Sequence, residues 1–310
     1  MYRLLALLIS FLYLDTYAHP GIGIVRDSKG NIYYTDLQQV WKIDPKSLQK
    51  IVDVPNVHTH ELYMDVHNNL YGQHSLYSGE QTNKWSHYVW KLNSNGSLDT
   101  VVPLTDGFYI ENFSFAGDKS GNQYWIQHWK TDRLIRKTPN GNSEVLYEGD
   151  LKNVQWMFPI NDKLYFVKED DIYFVDEPGN LKLFAKDLAG KKEGGHNAVF
   201  GMWTDNKGNL FIANSDLKKV QKHDSSGNAT DFYKSGEGWF PTAGLFDDNG
   251  DLWLMEWSVT NKVRVQKISQ SNLKNASKQE AKKGSINYIF VVATGIIITA
   301  AIVLNRKRRK

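Results

Sequence analysis

Histidine is concentrated in one part of the chain. Of the nine histidines, five lie between residues 58 and 87, and His58 and His60 alternate as two residues on one face of a strand do. Imidazole nitrogen combined with carboxylate or amide oxygen suits zinc, manganese or iron, whereas an all-oxygen set suits calcium. The pattern predicts a divalent metal as a candidate cofactor, and the alternative is a hydrogen-bonded surface feature. The candidate metal ligands are His58, His60, His74, Asn112 and His128.

Acid–base chemistry is the second candidate. Without a metal, the imidazole of His60 or His74 beside the carboxyl of Glu61 or Glu111 could act as a general base. The candidate catalytic residues are therefore His60, Glu61 and Glu111.

Aromatic side chains form a third group of candidates, with a role in ligand binding and not in catalysis. Flat rings beside polar groups stack on sugar faces or aromatic ligands, although such rings also serve as packing between sheets. The candidate ligand-binding residues are Tyr77, Trp85, Tyr109, Trp129, His196, Asn197, Trp239 and Trp257.

These residues are distributed over a sequence pattern that returns six times. Each copy has an Asp or Asn, a turn, and then an apolar run with an aromatic residue, as in Asp27-Ser-Lys-Gly-Asn-Ile-Tyr33 and Asp205-Asn-Lys-Gly-Asn-Leu-Phe211. The copies recur at intervals of 38 to 53 residues, which is the length of a four-stranded propeller blade. The sequence therefore predicts an all-β, six-bladed β-propeller of four-stranded antiparallel blades over residues 19–268.

The blade geometry brings certain positions to one face of the ring. The start of the first strand and the end of the second lie at the same face, which we call the upper face. Polar residues stand at the end of each second strand: Asp36, His74, Gln127, Lys168, Asn214 and Glu256. We predict that they tie blade loops by hydrogen bonds, and the alternative is that several of them rim a central pocket.

Both ends of the chain fall outside the repeats. Residues 1–18 predict a signal peptide cleaved before His19, and residues 285–305 predict a single transmembrane helix, with no charge from Ile286 to Leu304, followed by a basic tail at 306–310. Residues 269–284 are polar and predict a flexible stalk. The pattern predicts a single-pass membrane protein with its propeller on the extracytoplasmic side and its C-terminus in the cytoplasm.

The net charge and the absence of cysteine limit the partners and the chemistry that we expect for this chain. The net charge is +3, but the terminal segments supply the excess, and residues 19–283 sum to −2. No basic surface for nucleic acid is expected. The absence of cysteine rules out disulfides, thiol nucleophiles and Cys-ligated zinc. The expected partners are the membrane, through one C-terminal helix, and a small-molecule, sugar or protein ligand at the upper face.

The segment from His19 to Asp36 resembles an NHL-type repeat. The array over residues 20–268 is similar to the regucalcin, gluconolactonase and paraoxonase superfamily of six-bladed propellers. The resemblance implies a divalent ion held at the axis by Glu, Asn and Asp side chains at the starts of inner strands. The corresponding positions here are Ile22, His60, Phe113, Phe200 and Ala243, of which four cannot bind a metal. A shift of one residue would restore Asn112, Glu61 or Asn197 as a ligand, so the alternative is an altered metal site.

The first functional prediction is therefore a ligand-binding or protein-interaction module that uses the upper face. The alternatives are a metal-dependent hydrolase of the lactonase type and a structural scaffold. After Trp257 only one further strand is evident, so we predict that blade six has three strands and closes the ring on blade one by side-chain packing.

Overall fold

The computed structural model describes residues 21–55, 58–79, 81–82, 84–106, 116–128, 130–188 and 198–273. The first three blades run as follows. Blade one consists of β1 (Ile24–Arg26), β2 (Ile32–Thr35), β3 (Val40–Ile43) and β4 (Gln49–Ile51). Blade two consists of β5 (Thr59–Met64), β6 (Leu70–Tyr77), β7 (Trp85–Leu92) and β8 (Leu98–Asp106). Blade three consists of β9 (Ala116–Gly117), β10 (Gln123–Gln127), β11 (Asp132–Lys137) and β12 (Ser143–Gly149).

The last three blades continue the pattern. Blade four consists of β13 (Val154–Ile160), β14 (Lys163–Lys168), β15 (Asp171–Val175) and β16 (Leu181–Ala185). Blade five consists of β17 (Val199–Thr204), β18 (Leu210–Asn214), β19 (Lys219–His223) and β20 (Ala229–Lys234). Blade six consists of β21 (Trp239–Phe246), β22 (Leu252–Ser258) and β23 (Val263–Ile268). Each blade is an antiparallel sheet in chain order, so the predicted six-bladed all-β propeller is confirmed.

The repeated turn explains why the blades form. Asp27 Oδ1 accepts a hydrogen bond from the Asn31 backbone N–H (2.8 Å), and Asp27 Oδ2 accepts from Asn31 Nδ2 (2.6 Å) and the Tyr33 hydroxyl (3.3 Å). Gly30 supplies the positive φ of +82° that closes this turn. The same Asp–Asn arrangement recurs in blades two, three and five, so each copy fixes its β-hairpin locally.

The inner strands form a closed ring around the propeller axis. Each of β1, β5, β9, β13, β17 and β21 contacts the next, and β21 contacts β1. The backbone N–H groups of Ile22 and Gly23 both donate to the His60 carbonyl (2.9 and 3.0 Å), which joins blade one to blade two. The buried core lies in the seams between neighbouring blades, as where Val40 of blade one packs with Leu62 and Trp90 of blade two.

The seam between blades six and one confirms the predicted mode of closure. In the described residues blade six has three strands. Tyr34 of blade one packs with Trp253 and Met255 of blade six, and Arg26 donates to Asp248 (2.7 Å) across the same seam. Side-chain packing and one ion pair therefore close the ring.

The C-terminal end of the described chain differs from the prediction. Residues 269–273, expected to begin the stalk, stay packed on the propeller, with a helical turn at 270–273 and Leu273 buried against blades five and six. No helix among the described residues is long and apolar enough to cross a membrane. The predicted signal peptide, the rest of the stalk, the transmembrane helix and the basic tail lie outside the described residues.

Candidate functional site

Four inner strands share a β-bulge near their upper ends. The pairing register slips by one residue in β5, β13, β17 and β21. A bulge leaves one residue unpaired and turns it out of the regular alternation. The residues at the slip are His60 with Glu61, Gln155, Phe200 and Thr242. The sequence comparison had chosen Ala243 in blade six, but Ala243 pairs regularly with Met255, and Thr242 takes the bulged place.

Glu61 is a bulged residue at the upper end of the ring of inner strands, which we call the mouth. Its Oε2 is buried and has no hydrogen-bond partner among the described residues. Desolvation by the surrounding protein raises the pKa of the Glu61 carboxyl well above its usual value. The residue as a whole nevertheless keeps partial solvent exposure. Burial therefore makes this carboxyl easier to protonate than a free glutamate, and a protonated carboxyl can donate a hydrogen bond.

Gln155 is the second polar residue at a bulge, and sequence reasoning missed it. It is half-buried, and its Oε1 also has no hydrogen-bond partner in the described part of the chain. Gln155 belongs to β13 of blade four, so its amide oxygen and the Glu61 carboxyl lie on different inner strands of the same ring. The bulges thus supply a carboxyl that can donate a hydrogen bond when it is protonated and, on another blade, an amide oxygen that can accept one.

His58 and His60 come together as predicted. Their ring centroids are 4.3 Å apart with an interplanar angle of 75°, which confirms that the alternating pair shares one face. His60 is buried, and its backbone carbonyl, described above, anchors blade one. His60 thus joins two blades through its backbone, and the imidazoles of His58 and His60 are the ones nearest to Glu61 in the sequence.

His74 has a different environment from the one predicted for a metal ligand. It is 0% exposed, its ring meets Tyr88 edge-on at 4.8 Å, and its Nδ1 is hydrogen-bonded to the Thr59 hydroxyl. Desolvation lowers the pKa of His74 to about 4. His74 is therefore a neutral core histidine, and one of its two ring nitrogens is already engaged.

His128 is held by its own blade. Its Nδ1 lies 2.9 Å from Asp132 Oδ1, and Asp132 Oδ2 accepts the Leu151 backbone N–H (3.2 Å) at the entry to blade four. These contacts link blades three and four. The Asp132 carboxylate thus holds the His128 imidazole in an interaction that stabilises the fold.

The described residues contain no group of three His, Asp or Glu side chains that could hold a metal ion. The rings of His58 and His60 are in contact, and His74 lies close enough to His58 for their charges to interact, with the Ser75 backbone N–H donating to the His58 carbonyl (3.1 Å). One ring nitrogen of His74 is engaged by Thr59, and one of His128 is engaged by Asp132. The predicted ligand Asn112 and the predicted catalytic residue Glu111 lie outside the described residues.

Aromatic residues of blade six form a second feature of the upper face. Phe240 and Trp257 pair across β21 and β22 with centroids 5.3 Å apart, and Lys218 Nζ lies 4.8 Å from the Phe240 centroid. The Arg264 guanidinium lies 4.0 Å from the Trp239 ring centroid. A cation thus lies over the Phe240 ring and another over the Trp239 ring, whereas Trp257 Nε1 is buried without a hydrogen-bond partner among the described residues.

The other predicted ligand-binding aromatics are separate from that cluster. Tyr77 and Trp85 pair at the end of the β6–β7 hairpin, with centroids 4.8 Å apart, and Tyr77 is exposed. Tyr109, Trp129, His196 and Asn197 lie outside the described residues.

Three of the six polar residues at the ends of second strands tie loops, as predicted. Asp36 accepts from the Gln39 backbone N–H (2.7 Å), Lys168 donates to Asp150 (2.8 Å), and Asn214 donates to the Leu188 carbonyl (2.9 Å). Glu256 instead bonds to Arg264 and Gln266 of β23, and His74 bonds to Thr59 of β5. This part of the upper face is therefore structural.

Comparison with known proteins gives the fold. No protein-family model matches the chain, and no curated protein matches it by sequence. Similar solved structures include a calcium-binding protein, regucalcin, from Agrobacterium tumefaciens, with 15% identity over 76% of this chain and 81% of that one and a TM-score of 0.52. A gluconolactonase from Xanthomonas campestris has 13% identity over 77% and 83%, with a TM-score of 0.51. A streptogramin B lyase has 16% identity over 81% and 84%, with a TM-score of 0.51.

These likenesses confirm the resemblance predicted from the sequence at the level of the fold. Gluconolactonase, calcium-binding and lyase propellers all share it, and the identities are low. A fold that carries several activities identifies none of them. Function must therefore be argued from the residues of this chain.

Proposed function

We propose that this protein is a membrane-anchored, extracytoplasmic propeller that binds an uncharged, oxygen-rich ligand such as a sugar at its upper face. The observation that carries the proposal is the Glu61 carboxyl at the bulge of β5, whose pKa is raised by burial and whose buried Oε2 has no partner among the described residues. Membrane anchoring rests on the apolar segment and basic tail near the C-terminus.

The free-energy cost of burying an unpaired oxygen makes the Glu61 carboxyl a candidate ligand-binding group. A buried polar group left without a partner costs roughly 1–3 kcal/mol of folding free energy, and most such groups in native structures are paired. A side chain that binds a ligand is one of the few with a reason to stay unpaired. A protonated carboxylic acid in an apolar site donates a hydrogen bond well, as a ligand hydroxyl or carbonyl oxygen requires.

The chemistry of the mouth selects an uncharged ligand. Glu61 supplies a donor and Gln155 an acceptor, and hydroxyl groups of a sugar satisfy both. A cationic ligand would have to ionise Glu61 against its desolvation, and an anionic one would meet the Gln155 oxygen. The ring of Trp239, backed by Arg264, offers a rigid surface on which a sugar face could stack.

Two substitutions of Glu61 test the proposal. The full chain in detergent is titrated calorimetrically with a panel of neutral mono- and disaccharides. Glu61→Gln keeps a neutral donor of the same size and should retain binding, whereas Glu61→Leu removes the polar atoms and should abolish it. Glu237→Gln changes an exposed upper-face carboxylate and is the matched control. The proposal is wrong if no sugar binds the wild type, or if Glu61→Leu binds as well as the wild type does.

A metal-dependent hydrolase of the lactonase type is the second candidate. It is favoured by the fold-level likeness to gluconolactonase and calcium-binding propellers, together with the His58–His60 pair beside Glu61. Elemental analysis of the dialysed full chain, with chelator-treated protein as control, separates the two. A stoichiometric divalent metal that disappears in His60→Ala would favour the hydrolase, and unchanged metal content in that variant would remove His60 from it.

A further inference from the structure

The described chain leaves the propeller at the face opposite the mouth. β23 runs downward to Ile268, which pairs with Leu252 beside the lower turn of blade six. The backbone N–H of Gln270 then donates to Asp251 Oδ1 (2.9 Å), a residue of that same turn. The last described residue, Leu273, is 4% exposed and packs with Trp203 of blade five.

This attachment is firm, because several contacts hold it. Lys267 pairs with both Asp247 and Asp251 (3.1 Å each). The turn at 270–273 is fixed by a hydrogen bond from the Leu273 backbone N–H to the Ser269 carbonyl (3.1 Å). The tether to the predicted membrane span at 285 therefore starts at residue 274, on the lower face, and not at residue 269.

We infer that the lower face is held next to the anchoring membrane and that the upper-face mouth is presented away from it. The inference rests on the anchoring given under the proposed function. The stalk predicted from the sequence would then comprise the eleven residues 274–284, and a flexible chain of that length has a typical end-to-end span of about 18 Å. Strands of seven or eight residues add a further ~25 Å between the lower and upper faces. The mouth accordingly lies more than twice as far from the bilayer as the lower face.

The orientation specifies where the ligand comes from. A molecule dissolved in the anchoring bilayer would have to leave it and travel around the propeller to reach Glu61. A soluble ligand, or one displayed on a facing surface, reaches the mouth directly. The ligand class is thus a water-soluble or surface-displayed oxygen-rich molecule and not a lipid of the same membrane.

The absence of cysteine makes a direct test available. Asn206 lies on the exposed lower turn of blade five and Leu217 on the exposed upper loop of the same blade, joined by β18. Asn206→Cys and Leu217→Cys carry one fluorophore each in the full chain, reconstituted in phosphatidylcholine vesicles with a headgroup-labelled energy acceptor. Energy transfer should be several-fold stronger from position 206 than from position 217.

Two outcomes would overturn the inference. Equal or stronger transfer from position 217 would show that the upper face approaches the bilayer. Failure of the full chain to sediment with the vesicles would remove the anchor on which the orientation depends. Neither result touches sugar binding by the Glu61 variants, so failure of the orientation and failure of the binding proposal are distinguishable.

Discussion

Blades two and six each place a glutamate near the upper face, and the two carboxyls differ in their polar contacts. Glu256 is fully buried in β22; its Oε2 accepts hydrogen bonds from Arg264 Nε (2.8 Å) and Gln266 Nε2 (2.7 Å), while its Oε1 is buried without a partner among the described residues. Glu61 lies in the bulge of β5 with a raised pKa, and its buried Oε2 has no hydrogen-bond partner in the part of the chain that the structure describes. The Glu256 carboxyl is thus tied to two side chains of its own sheet, and no such tie holds Glu61 Oε2 among those residues.

This difference distinguishes a polar side chain that stabilises the fold from one that could bind a ligand. A paired buried charge is costly to disrupt, because the partner left behind is stranded. An unpartnered neutral acid is costly to keep, because nothing in the protein satisfies it. Residue type alone does not distinguish these cases. The contacts of each carboxyl do.

The largest effect is expected for Glu256→Ala. Removing this carboxylate leaves the Arg264 guanidinium, which is partly exposed, without its charge partner, and leaves Gln266 Nε2 with only its longer hydrogen bond, to the Tyr233 hydroxyl (3.3 Å). We expect a loss of about 3–4 kcal/mol in the free energy of unfolding, toward the low end of the range for broken buried pairs. Urea denaturation of the full chain measures it, with Glu237→Ala on an exposed loop as control. A loss no greater than that of the control would mean that Glu256 is not structural.

Acidic pH should weaken the blade-two core through His74. The pKa of His74 is lowered to about 4 in the folded chain by desolvation, so the unfolded chain binds more protons between pH 4 and the ordinary value of 6.5. Stability therefore rises with pH through this window and falls by about 3 kcal/mol between pH 7 and pH 4.

The variant His74→Leu isolates that contribution. In this variant the loss of unfolding free energy between pH 7 and pH 4 should be smaller by about 3 kcal/mol, as measured by urea denaturation at each pH. His67→Gln, on an exposed turn, is the matched control. An acid limb as steep in His74→Leu as in the wild type would show that His74 does not titrate between folded and unfolded chains.

The blades were predictable because their determinants are local. In the first repeat the Asp27 carboxylate, the Gly30 turn and the Asn31 amide lie within five residues, and the same spacing recurs around the ring. Local hydrogen bonds of this kind leave a clear sequence signature. The same reasoning correctly assigned Asp36 and Asn214 to loop ties, since Asp36 accepts from the Gln39 backbone in the next loop and Asn214 donates to the Leu188 carbonyl.

The candidate site was less predictable because it depends on register. Gln155 becomes unpaired only because β13 slips by one residue against β14, and no nearby residue type marks that slip. His74 resembled a ligand in the sequence, but strand pairing places Tyr88 beside it and Thr59 opposite it. Aligning the six inner strands and looking for one extra residue near the upper end of a strand would have indicated the bulges.

Glu61→Leu should have the opposite sign to Glu256→Ala. Removing an unpartnered buried carboxyl relieves its desolvation, so we expect unfolding free energy to rise by about 1 kcal/mol at pH 5. Because the folded pKa of Glu61 is raised, its neutral form favours folding at low pH and this contribution is lost as pH rises through the folded pKa. The advantage of Glu61→Leu should therefore grow from pH 5 to pH 8.

Urea denaturation at the two pH values checks this sign. Glu61→Gln, neutral at both, should track the leucine variant in its pH dependence but keep the unpaired polar atom. If Glu61→Leu instead destabilises the chain by several kcal/mol, Glu61 has a structural partner in the native state and the contrast with Glu256 fails.

The smallest effect belongs to the covered aromatics of blade six. Lys218→Ala removes the ammonium that lies 4.8 Å from the Phe240 centroid. A cation near a ring at a partly exposed site contributes roughly 0.5–1 kcal/mol, so the loss of unfolding free energy should stay within that range. Lys207→Ala, on an exposed lower turn, is the control for loss of a lysine. Because Lys218 supports the ring and does not replace it, sugar binding should be unchanged; weakened binding in this variant would move part of the ligand site from the blade-two mouth to blade six.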